Sequence, residues 1–186
     1  GTFIIATLNI VEKSLLGQVE FTGQENQSNT ILFDIQATQK DGVVKLMKEH
    51  KLPVTQVVPI ITCRLSEIKG RSIEAIQNDT TDKIRNWALT REYRVTYRDS
   101  LHHSEELTEG TMHHRSAKGD SIWVTISAGM QEDLEVKIGD SLVFDIQGVP
   151  IKVRLSGIRK VDWSKDPPNF IFVFPKGVLE NVPQIF

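Results

Sequence analysis

Apolar and polar positions are most informative in the C-terminal half of the chain. Three runs there, Ile122 to Ser127, Leu142 to Gln147 and Pro150 to Ile158, have the length and β-branched content of strands. Gly139-Asp140 and Gly148-Val149-Pro150 supply turn residues between them, and a short helix is predicted near Gly129 to Leu134. Asn169-Phe170-Ile171-Phe172-Val173-Phe174 is apolar almost throughout, the pattern of a strand covered on both faces. Further upstream, Leu89, Arg91, Tyr93, Val95 and Tyr97 alternate with Thr90, Glu92, Arg94 and Thr96, which predicts a half-buried strand with Arg91 as the one charge on its apolar face.

The N-terminal half is patterned differently. Ile4, Leu8, Val11, Leu15 and Val19 recur every three or four positions and predict a helix over residues 2–20. Thr22 to Asn29 carries no large apolar side chain and reads as a linker. Thr30 to Ala37 reads as a buried strand, and Asp41 as the cap of a helix carrying Val43, Val44, Leu46 and Met47 to His50. Pro53 stops that helix, and Val54 to Leu65 is a second β-rich run with Pro59 marking an edge or bulge. Residues 30–65 thus have the size of a β-α-β crossover, about 35 residues. Residues 71–88 read as helix or loop.

Three regions follow: a helical segment at 1–22, an α+β part made of 23–69 with 161–186, and an inserted β-rich part at 70–160. The fold class expected is α+β, with the final strand rejoining the first sheet.

Composition changes this picture little. The chain has 186 residues, with 22 Lys+Arg against 24 Asp+Glu, a net charge of -2 and a pI near 6.2, so it is globular and carries no basic excess for nucleic acid. Cys63 has no second cysteine to pair with and lies in an apolar run, as a small buried hydrophobe would.

The candidate chemistry is thin. His102-His103-Ser104-Glu105-Glu106, Glu109 and His113-His114 are residue types that bind divalent metal, and they carry the alternative reading of a stand-alone hydrolase or metal-dependent enzyme. The stretch contains Gly110 and reads as a polar loop, without the helix that fixes a His-Glu-x-x-His pair. Ser66-Glu67-Ile68-Lys69 matches Ser-x-x-Lys without its companion motifs, and Thr125-Ile126-Ser127-Ala128-Gly129 lacks the first glycine of a nucleophile elbow. No glycine-rich phosphate loop occurs. The expected reading is non-catalytic: no catalytic, cofactor-binding or metal-ligating residue is assigned. Arg91, Arg94 and Arg98 with Glu92 and Asp99 read as a solvated mixed-charge face, and Trp87, Tyr93 and Tyr97 as packing.

Several stretches, taken together and in order, carry a resemblance. They are Asn29 to Gln36, Arg91 to Arg98, Glu109-Gly110, Val136 to Leu142, Ile158 to Trp163 and Pro167 to Leu179. The chain resembles, nearly end to end, the extracytoplasmic region of FtsX-like (MacB-like) ABC transporter permeases of the YbbP type. The resemblance implies that residues 1–22 are a stalk continuing a transmembrane helix. It implies a βαβ porter-like subdomain with an inserted sabre-like one. It places the domain on the extracytoplasmic, periplasmic side of the inner cell membrane. It also implies a cytoplasmic ATPase as partner, transmission of ATP-driven motion, and a lipidic or hydrophobic substrate, with a lysophospholipase-like esterase as a possible extracytoplasmic partner. It carries over no catalytic residue.

Overall fold

In the computed structural model, residues 30–165 and 167–186 are described; the helix expected over 2–20 lies outside them. The described elements are α1 (Lys40–Glu49), β1 (Ile61–Ile68), β2 (Arg71–Ser72), α2 (Ile73–Gln77), α3 (Asn86–Thr90), β3 (Glu92–Tyr97), β4 (Glu105–Gly110), β5 (Ile122–Ser127), α4 (Ala128–Asp133), β6 (Ser141–Ile146), β7 (Val149–Val161) and β8 (Phe172–Phe174). The fold is mixed α and β, mostly sheet, with few and short helices.

The strands close into a barrel. β1 pairs with β3, β3 with β8, β8 with β5, β5 with β7, β7 with β6, and β6 returns to β1. The β3–β8 and β5–β7 pairs are parallel and the others in this ring antiparallel. β2 and β4 lie outside the ring as short additions to β1 and β7. Closure removes open edges from the ring strands and gives their inward side chains one shared interior.

That interior is aromatic at its centre. The Phe172 ring meets Tyr93 edge-on at 5.2 Å and Phe144 at 4.9 Å, and Phe144 meets Phe174 at 5.6 Å. Ile61, Cys63, Leu65 and Ile68 from β1, Val124 and Ile126 from β5, and Val153 and Leu155 from β7 complete the same cluster. The Tyr93 hydroxyl donates to the Ala88 carbonyl at 2.5 Å, so its one polar atom is satisfied inside the core.

Several expectations are corrected. Thr30 to Ala37 is not a strand: its only ladder contact among the described residues is a bridge from Gln36 to Ile185, and Ile31, Leu32 and Phe33 are exposed. Asp34, at φ 60, breaks the extended run, and without a first strand there is no β-α-β crossover. The N-cap of α1 is Gln39; Asp41 sits in the first turn, and no residue of α1 is buried. β1 begins only at Ile61, beyond Pro59, and runs on to Ile68. Leu89 belongs to α3, so the strand expected from Leu89 starts at Glu92. Strand pairing also ignores the expected boundaries at 69/70 and 160/161: β1 and β8, placed in the porter-like part, bond directly to β3, β5 and β6, placed in the inserted part. β5 and α4 fall where the pattern placed them, as do β6 and β7 within a few residues.

Two glycines set how closely β4 and β7 approach. Gly110 stands opposite Gly157, at φ 78, and a Cβ on it would lie 2.1 Å from the Ser156 carbonyl oxygen. Gly110→Ala therefore combines left-handed strain with a backbone collision, and an expected loss of about 2 kcal/mol or more. Gly148→Ala is the control: φ is 87 there, but nothing lies within 4 Å of the added atom. Urea unfolding of both variants checks this, and equal losses would mean the close approach contributes nothing.

Candidate functional site

The most unusual chemistry in the described residues is a buried ion network on the side of the barrel where β4 joins β7. Arg159 projects inward from β7, opposite Ser127 of β5 and Leu107 of β4, and is wholly buried. Such burial requires a partner for each guanidinium nitrogen. Nε donates to the Thr125 hydroxyl at 2.9 Å, Nη2 to the carbonyls of Phe170 and Ile171 at 3.0 Å each, and Nη1 to the Glu105 carboxylate. Burial pushes the guanidinium pKa down to about 10, with Glu105 opposing and Arg98 adding to the shift, so Arg159 remains charged at neutral pH.

Glu105 is the hinge of the network. Its carboxylate, also buried, accepts from Arg98 as well as from Arg159, and from the His102 backbone N–H at 3.2 Å. Arg98 is held at the end of β3, where its N–H donates to the Phe174 carbonyl at 3.1 Å; its Nε is buried with no partner among the described residues. Alongside, the Ser104 hydroxyl donates to the Asn169 side chain at 3.1 Å, and Asn169 donates to the Lys165 carbonyl at 3.0 Å. The Asp162 N–H donates to the Ser104 carbonyl at 2.9 Å, and the Ser164 hydroxyl, hydrogen-bonded to the Asp162 carboxylate, is the chief cause holding that carboxyl below its ordinary range. The network thus fastens two loops, 98–104 and the return segment 162–171, to β7 and β5.

Chemically this is a clamp. The Glu105 oxygens are buried and already engaged by two guanidiniums and a backbone N–H, with none turned to solvent.

The histidines of the 102–114 stretch are not brought together. Glu105–Gly110 is strand β4 and not loop, and its six residues put about 20 Å between the two histidine pairs. The His102 and His103 rings meet at 4.2 Å, tilted by 43°, at one end. At the other, His113 stacks on Trp123 at 5.5 Å and His114 Nδ1 meets the Asp99 carbonyl. Among the described residues no three His, Cys, Asp or Glu side chains are grouped to hold a metal ion. Ser66 and Lys69 are likewise separated in purpose: the hydroxyl donates to the Val143 carbonyl at 3.1 Å and the ammonium to the Glu135 carbonyl at 2.5 Å. Ser127 caps α4. Cys63 is buried, and desolvation first, then Glu92 and Asp145, push its thiol up to about 12, which keeps it protonated and unreactive at neutral pH. Arg91 lies over the Trp87 and Tyr93 rings, at 5.5 and 5.2 Å, which explains a charge on the apolar side of that segment.

Sequence reasoning placed Arg98 and Glu105 on a surface face and in a polar loop, and did not single out Arg159. The strand expected over Pro150 to Ile158 stops one residue short of Arg159, and Lys152 and Arg154 within it are exposed, so the sequence offered no signal that singled Arg159 out.

No family model and no solved structure matches the chain. Among the described residues no helix is long and apolar enough to cross a membrane. Over 181 residues, 97% of its length, the chain is 25% identical to a protein of Escherichia coli (strain K12) named "Uncharacterized ABC transporter permease YbbP". The match spans 21% of that relative's length, so the chain is similar to a part of an ABC transporter permease.

Proposed function

We propose that this chain is a non-catalytic extracytoplasmic domain of an ABC transporter permease of the FtsX-like, MacB-like kind, which passes ATP-driven motion to a substrate or partner outside the membrane. The similarity carries this reading: it runs through 97% of the chain and falls within a fifth of a much longer permease. The clamp on the return segment supports it, since a domain that transmits displacement must move as a body and not yield at its loops. A cytoplasmic ATPase drives the motion through the membrane part of the full-length protein, and the cargo is lipidic or hydrophobic.

The test uses the full-length protein in its own cell membrane. Glu74 is exposed on α2 and the native Cys63 is buried, so Glu74→Cys offers one accessible thiol among the described residues. A membrane-impermeant maleimide should label it in intact spheroplasts, and in inverted vesicles a membrane-permeant maleimide should label the lumenal Glu74→Cys at a rate that added ATP changes. Labelling only after permeabilisation of spheroplasts would refute the extracytoplasmic placement, and a rate indifferent to nucleotide would refute the transmission of motion.

A further inference from the structure

We draw no further inference here: the strongest candidate, the exposed apolar surface made by α1 and its flanks at Phe33, Leu46 and Leu52, is a face left open among the described residues, and nothing in the structure shows what covers it.

Discussion

Phe172→Ala is expected to destabilise the whole barrel, by about 3–5 kcal/mol, in a single cooperative transition. Phe172 is fully buried on β8, and its ring touches Tyr93 of β3 and Phe144 of β6 edge-on. Truncation leaves a cavity bounded by three strands, β3, β6 and β8, that lie far apart in the chain. Because β8 also supplies the rung between β3 and β5, no part of the ring has a core of its own to fall back on. Native-state hydrogen exchange should therefore show protection falling together in β1, β3, β5, β6 and β7. Persistent protection across residues 89–158 while β1 and β8 exchange freely would reinstate two separate folding units.

The second large effect is expected at Glu105. Glu105→Gln leaves the buried Arg159 facing a neutral amide, and breaking one side of a buried ion pair costs about 3–5 kcal/mol. The companion Glu105→Met with Arg159→Met removes both buried charges and should recover much of that loss, leaving Arg98, which retains some exposure, to hydrate. Urea unfolding of the single and double variants gives the coupling. A Glu105→Gln loss under about 1 kcal/mol would place the pair among solvated surface contacts. If the clamp serves rigidity, the same variant should also raise exchange of the amides in residues 162–171 before global unfolding begins.

These two experiments bear on the proposed role from different directions. The first asks whether the described region is one mechanical body, and the second whether the return segment before β8 is fastened to that body. A transmitting domain needs both.

Much of the barrel wall was legible from local pattern. β5, α4, β6 and β7 lie close to where alternation and turn residues put them, because Gly139-Asp140 and Gly148 punctuate runs whose side-chain period is set by the pleat. The helix carrying Val43, Val44, Leu46 and Met47 was legible in existence but not in its start, since the cap expected at Asp41 lies at Gln39. Sequence alone also determined that Cys63 is a buried hydrophobe and that no familiar nucleophile motif is present.

What only the tertiary structure decided is everything that depends on which distant segments meet. Thr30 to Ala37 is as apolar as a strand, yet a strand exists only where a neighbour accepts its hydrogen bonds, and the described structure offers it one bridge at Gln36. Closure of the ring rests on β1 meeting β6, a pairing that local periodicity does not encode, and it merges the two expected subdomains into one core. The histidines, adjacent in sequence, are parted by the strand between them, whereas Glu105 and Arg159, 54 residues apart, are brought into contact. Local pattern reports which face of a segment prefers water; the partner of a buried charge is set by the fold, since the cost of leaving it unpaired is felt only once the chain has closed around it.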